Sequence, residues 1–282
     1  MPKQKKMWDN ILTVIMSVLC LLWIYPIVLI LLNSLKKEGT FTTSTVFRLP
    51  TAETFAGLRN YVYGVTKMDF LSSMGYSLLI TITSVVLILL CCSMTGWYLT
   101  RVNNKLSKFM NLLIVFSMVV PFQMVMFTLS KTADQLNLNT PWNICIIYLG
   151  FGAGLAVFMF TGFMKSVPME IEEAAMIDGC SEMKAMWKVM IPMASPGIIT
   201  VTIFNFMNIW NEYFMALIFA NGNDKIRTLS MGLQNMITSM KYTGDWAGLF
   251  AGVIIVLVPT LILYLLLSEK IVAGITGGAV KG

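Results

Sequence analysis

Histidine is absent from the chain, and charged residues fill only 12% of its 282 positions. The first absence removes the commonest general base and the commonest metal ligand. It also excludes an H-E-x-x-H zinc motif, and no nucleophile–base pair stands out along the sequence. The second absence bears on solvent. A soluble domain carries about 25% charged residues, so this chain lacks the polar surface to cover itself in water. Nothing reads G-x-x-x-x-G-K-[ST], which excludes a phosphate-binding loop of that kind. The five cysteines, Cys20, Cys91, Cys92, Cys145 and Cys180, form no C-x-x-C pair, so neither a zinc nor a dithiol site is suggested. Four of them lie in apolar runs, where cysteine behaves as a small hydrophobe. The net charge of +6 does not point to nucleic acid, because the basic residues are scattered between apolar runs with no stripe of interleaved aromatics.

What is present is hydrocarbon: 57% of the residues are hydrophobic, and the 23 methionines suit packing gaps. Apolar runs of about 20 residues are long enough to cross a bilayer as helices. Six such runs occur, at 11–32, 77–99, 112–129, 144–163, 198–220 and 248–267. Pro26, Pro121 and Pro259 fall inside them, where neighbouring helices are expected to rescue the freed backbone groups. The first run is longer than the apolar region of a signal peptide and lacks an A-x-A-like cleavage site, so it reads as an uncleaved span. The pattern predicts an all-α integral membrane protein with six transmembrane helices. Its divisions are a tail at 1–10, a first span at 11–35, a loop at 36–76, a five-span core at 77–267 and a tail at 268–282.

Lys3, Lys5 and Lys6 place the N-terminus on the cytoplasmic side by the positive-inside rule. Arg101, Lys105, Lys108, Lys165, Lys184 and Lys188 agree, whereas Lys36 and Lys37 run against it. Both termini are then cytoplasmic, and the loops at 36–76, 130–143 and 221–247 face outward. Trp8, Trp97, Tyr98, Trp142 and Trp246 near the span ends fit an interfacial belt.

The segment at 165–197 interrupts this oily chain with charge and proline. Ser166 and Pro168 signal a helix start, and Glu170, Glu172 and Glu173 sit in its first turns, where the helix dipole favours negative charge. Gly179 can end that helix in a left-handed conformation. A second helix follows, with Ser181 as a possible N-cap. Met183, Met186, Trp187, Met190 and Ile191 recur at helical spacing on one face of it. Pro192 and Pro196 are expected to stop and redirect the chain. The apolar face needs a cover, either the ends of the chain's own spans or a groove on a partner.

Residues 172–196, "EEAAMIDGCSEMKAMWKVMIPMASP", closely resemble the EAA loop of bacterial ABC-importer permeases. The matching positions are Glu173, Ala174, Ala175, Gly179 and Val189-Met190-Ile191-Pro192. "IWNEYFMALIF" resembles the Trp-Asn-Glu stretch of sugar permeases, and "GITGGAVKG" looks like the tail of the MalG-type subunit of maltose-like importers. Cys180 stands where alanine is common in the motif, and Met186 where an aromatic is common. The resemblance implies the type I importer permease (MetI-like) fold and a subunit of an ATP-driven sugar importer in a bacterial plasma (inner) membrane. It implies a second permease subunit, a cytoplasmic ATPase dimer and an extracytoplasmic sugar-binding protein as partners. ATP and Mg would be bound by the ATPase, with no cofactor in this chain and no catalytic residue. Glu172, Glu173, Ala174, Ala175, Asp178, Gly179 and Pro192 would form the ATPase-coupling element, with Glu173 paired to a basic residue there. Gly277, Gly278, Lys281 and Gly282 would reach the ATPase interface.

Polar residues inside spans are costly and tend to face protein or water. Asn205, Asn208 and Glu212 fall on one helical face, with Asn211 beside them, and Gln123 follows Pro121. A carboxylate near mid-helix costs roughly 2.5–3.5 kcal/mol on insertion scales, so Glu212 should be neutral, hydrogen-bonded or near water. These groups either hold helices together or line a path for a hydroxyl-rich solute. An ion-coupled secondary transporter is the alternative function. It needs buried ionisable groups, of which Glu212 is one candidate, and it often shows inverted repeats, of which none is visible.

Overall fold

Lipid cannot hydrogen-bond to a peptide group, so a spanning chain must satisfy its backbone internally. The computed structural model describes the backbone of residues 2–40, 46–220 and 227–279, and it is built from helices. In chain order they are α1 (Pro2–Ser34), α2 (Arg59–Lys67), α3 (Phe70–Arg101), α4 (Lys105–Phe116), α5 (Phe122–Gln135) and α6 (Ile144–Lys165). Then come α7 (Met169–Ile177), α8 (Glu182–Met193), α9 (Ser195–Asn211), α10 (Phe214–Ala220), α11 (Leu229–Thr243) and α12 (Trp246–Ala279). Among the described residues the extended pairing is one isolated bridge, Lys36 with Phe55.

Four helices are long and apolar enough to cross a membrane, over Trp8–Ser34, Phe70–Arg101, Ile144–Lys165 and Trp246–Leu266. The other two apolar runs are interrupted. At 112–129 the chain leaves helical geometry between α4 and α5, and Pro121 stands extended at φ −64°, ψ 135°. Pro121 has no N–H to continue the ladder, so the expectation of a helix carried through it is not met. Pro26 and Pro259 do lie inside continuous helices. The run at 198–220 breaks at Glu212, which is extended at ψ 132°. Its first part, α9, has 17 residues, about 26 Å at 1.5 Å per residue, against an apolar thickness of about 30 Å. The stretch at 36–76 is more ordered than a loop, since it holds α2 and the start of α3 at Phe70.

The chain divides into two units. One comprises Met1–Leu71 and Gly232–Pro259. There the buried Asn60 amide donates to the carbonyls of Ser34 and Lys36, both at 2.7 Å, and so pins α2 to the end of α1. Met68 packs with Met236 and Leu249.

The other unit comprises Ser72–Met231 and Thr260–Gly282. Its centre is α6, whose Ala156, Val157, Phe160 and Met164 are buried with Ile88 and Cys92 of α3 and Val201 of α9. Along α3 the buried face reads Ser73, Ser77, Thr81, Ser84, Ile88, Cys92 and Gly96. Small residues at helical spacing let spans approach closely in lipid, where dispersion replaces the hydrophobic drive.

Candidate functional site

Two places in the second unit carry the residues that the sequence singles out. The first is the elbow made by α7 and α8. Pro168 occupies the N-cap of α7 at φ −58°, ψ 140°. Ser166 does not start this helix; its hydroxyl donates to the Phe163 carbonyl at 2.7 Å, closing the end of α6. At the other end, the N–H of Cys180 reaches the Ala175 carbonyl and that of Gly179 reaches the Met176 carbonyl, both at 3.0 Å. This pair of bonds is a Schellman closure, which needs a left-handed residue at its turn. Gly179 supplies it with φ +88°.

Ser181 takes the extended N-cap geometry before α8, but its hydroxyl makes no capping bond. Pro192 does not stop α8. The ring of a helical proline clashes with the carbonyl four residues back, here that of Lys188. Met186–Met190 instead forms a π turn, and this wider turn carries the helix through Pro192 to Met193. The chain turns at Ala194, and α8 and α9 meet at 77°.

The apolar face of α8 is split. Met186 and Met190 are fully buried, while Met183 and Trp187 are 47% and 40% exposed. On α7, Glu173 and Ala174 are exposed, Ala175 is half-buried, and Asp178 and Pro192 beyond it are exposed. Ile177 stands 86% exposed at the tip.

Glu172 behaves differently from its neighbour. It is buried, and both of its oxygens are engaged inside the chain. Trp97 Nε1 donates to Oε2 at 2.8 Å, and the Arg101 guanidinium forms an ion pair and hydrogen bond with Oε1. The same guanidinium donates to the Val167 carbonyl at 3.1 Å and reaches Met190 Sδ at 3.5 Å. Glu172, which the motif resemblance puts among the ATPase-coupling residues, therefore faces Trp97 and Arg101 of its own chain, unlike the exposed Glu173. A basic residue at a helix C-terminus is favoured by the dipole, and Arg101 ends α3. Removing one partner of such a buried pair strands the other, at a cost of about 3–5 kcal/mol.

Beyond the span that ends at Leu266, α12 runs on to Ala279. Gly277 and Gly278 lie within α12, and Lys281 and Gly282 lie outside the described residues.

The second place is a cavity of about 190 Å³ lined by Tyr148, Asn205, Asn208 and Glu212 among apolar neighbours such as Phe151 and Met215. Glu212 occupies the break between α9 and α10. Its Oε2 accepts from the backbone N–H groups of Met215 at 2.8 Å and Ala216 at 3.2 Å, and from the Tyr148 hydroxyl at 3.3 Å. It thus caps α10 with a carboxylate, which satisfies orphan N–H groups and offsets the cost of carrying an acid in the span. Asn205 is buried and returns its amide to the Val201 carbonyl at 2.9 Å. Asn211 and Gln123 do not join the cavity. Asn211 is exposed and bonds the Met207 carbonyl, and Gln123 is exposed at the start of α5. Among the described residues no group of three or more His, Cys, Asp or Glu side chains could hold a metal ion.

The chain matches the family model "Binding-protein-dependent transport system inner membrane component" over residues 92–268. It is 34% identical, over 96% of each chain, to the probable starch degradation products transport system permease protein AmyC of Thermoanaerobacterium thermosulfurigenes. It is 30% identical to the sulfoquinovosyl glycerol transport system permease protein SmoH of Agrobacterium fabrum, covering 94% of this chain and 92% of that one. Its fold matches a chain in the crystal structure of a bacterial ABC transporter involved in the import of the acidic polysaccharide alginate. That match has a TM-score of 0.76 at 23% identity and covers 94% and 97% of the two chains. Family, relatives and fold agree with a multi-pass membrane chain that works as a transport component and not as an enzyme. The chain belongs to the binding-protein-dependent transport system inner-membrane components, the permease subunits of ABC transporters.

Proposed function

We propose that the chain is one of two permease subunits of an ATP-driven oligosaccharide importer in a bacterial plasma membrane. Its termini face the cytoplasm, and an extracytoplasmic binding protein delivers the solute. The exposed Glu173–Ala174 face, held on an elbow closed at Gly179, carries the coupling reading. A short helix with two alanines is slim enough to enter a cleft of a cytoplasmic ATPase, and Glu173 offers a charge to a basic residue there. Gly277, Gly278, Lys281 and Gly282 form the second ATPase contact. ATP and Mg belong to the ATPase, and this chain holds no cofactor. The oligosaccharide class is supported by relatives named for the transport of starch degradation products and arabinooligosaccharides.

The test is uptake of labelled maltooligosaccharides by proteoliposomes holding the assembled importer. Uptake is expected to need ATP and to stop when the ATPase is left out. Uptake that survives without the ATPase and collapses with an ionophore would instead identify an ion-coupled transporter.

Asn208 and Glu212 are proposed to face the solute, since an amide can both donate to and accept from sugar hydroxyls. Asn208→Ala removes a cavity group from the exposed part of α9 and is expected to change the ranking of sugars with assembly unchanged. Glu212→Ala also removes the cap of α10, worth about 1–2 kcal/mol, and so should lower thermal stability as well. Equal sugar ranking in wild type and Asn208→Ala would leave these residues as helix glue.

A further inference from the structure

Arg101 holds the elbow from outside it, at the end of α3. A rigid push on the elbow reaches the membrane through its two covalent exits, Val167 toward α6 and Ala194 toward α9. We infer that the end of α3 is a third mechanical attachment, with Arg101 as its positioning residue and Trp97 as its second anchor. This inference rests on the elbow being the ATPase-coupling element.

One guanidinium gathers three parts of the elbow: the Val167 carbonyl before α7, the Glu172 carboxylate within α7, and Met190 in the π turn of α8. Trp97, one helical turn back along α3, holds the other oxygen of the same carboxylate at 2.8 Å. The Arg101 and Glu172 side chains are 14% and 6% exposed, so water competes weakly for these bonds. The planar fork of arginine can serve several acceptors at fixed angles, which a lysine ammonium cannot do in the same geometry. Both arms of the elbow are thereby tied to α3 as well as to each other. Displacement of α7 moves the end of α3 with it, so the second span travels with the fourth and fifth when the ATPase closes.

The test uses the assembled importer in proteoliposomes carrying Arg101→Gln, Glu172→Gln, Arg101→Lys or Trp97→Phe. Maltooligosaccharide uptake and ATP hydrolysis are measured side by side. Arg101→Gln and Glu172→Gln are expected to lower sugar carried per ATP hydrolysed by about tenfold, within the usual range of coupling between sites, while hydrolysis continues. Arg101→Lys should recover part of the loss. Trp97→Phe keeps the aromatic packing, removes only one donor to Glu172, and should give a smaller fall in the same ratio. Spin labels at exposed Asn103 and Lys184 should give one narrow distance in wild type and a broad distribution in Arg101→Gln. An unchanged sugar-to-ATP ratio, or a parallel loss of both activities with the complex falling apart, would overturn the inference. If Glu173→Lys abolishes uptake while Arg101→Gln transports normally, only the attachment fails. If Glu173→Lys transports normally, the coupling element itself has been misassigned.

Discussion

Glu173→Lys is expected to abolish uptake while leaving the chain inserted and folded. Glu173 is exposed on α7, and its side chain does not hold α7 in the unit's core. Reversing its charge therefore costs the fold little, since exposed substitutions usually change stability by less than about 0.5 kcal/mol. In a docked interface the same reversal sets like charges against each other, at several kcal/mol. With a factor of ten for each 1.4 kcal/mol or so, uptake should fall by more than about a hundredfold. Gly179→Asp should act by a different route. No atom would meet a side chain at Gly179, but its φ of +88° would strain one. A left-handed residue other than glycine costs about 1–2 kcal/mol, and the elbow loses its angle before it loses its fold. Gly179→Val should be the more severe of the two, because a β-branched residue tolerates positive φ worst. Membrane level, pull-down of the ATPase and uptake decide the matter together. Normal uptake by Glu173→Lys at normal membrane level would refute the assignment of the elbow.

The elbow could be read from sequence because its determinants are local. Gly179 ends one helix, the alternation of methionine and charge marks the next, and both needs are set within a few residues. The long spans could be read for the same reason, since hydropathy is summed over neighbours. The breaks were harder. Proline can be carried within a span, as Pro26 and Pro259 are, or can interrupt it, as Pro121 does, and the difference lies in packing that no local pattern records. The break at Glu212 has no proline at all. It comes from a carboxylate capping the next helix, a role that the helical spacing of Asn205, Asn208 and Glu212 concealed. Of the residues near that face, Asn205, Asn208 and Glu212 line one cavity and Asn211 does not. Glu172 was the largest displacement between expectation and structure. Its partner Arg101 is 71 positions away, and a tryptophan four residues before an arginine at a span end was the only local hint of the site.

Gly96→Leu is expected to remove most of the folded protein from the membrane, and Gly96→Ala to remove a smaller part. A Cβ at Gly96 would lie 2.7 Å from Phe160 Cβ and 3.4 Å from the backbone of Phe160 and Thr161. Carbon atoms prefer a separation of about 3.5–4.0 Å. The nearest obstacle is fixed to the backbone of α6, so no rotamer change relieves it, and α3 and α6 must move apart. Alanine gains up to about 1 kcal/mol of helix propensity over glycine, while overpacking costs about 1–3 kcal/mol, so the net sign is destabilising. Leucine adds three more carbons at the tightest point of the crossing and cannot be housed. Gly96 immediately precedes Trp97 on α3, so the separation forced by alanine also draws Trp97 and Arg101 away from Glu172. A surviving Gly96→Ala protein should then show a lowered melting temperature together with fewer sugars carried per ATP. Gly152→Ala at the same α3–α6 contact is the comparison, because a Cβ there meets the movable end of Ile88 at 2.7 Å and the Asn205 Oδ1 at 2.8 Å. It should cost stability and crowd the cavity that Gly152 lines with Asn205 and Asn208, while the contacts of Trp97 and Arg101 with Glu172 stay in place. Wild-type membrane levels and melting temperature for Gly96→Leu would mean that the two spans do not cross at this residue.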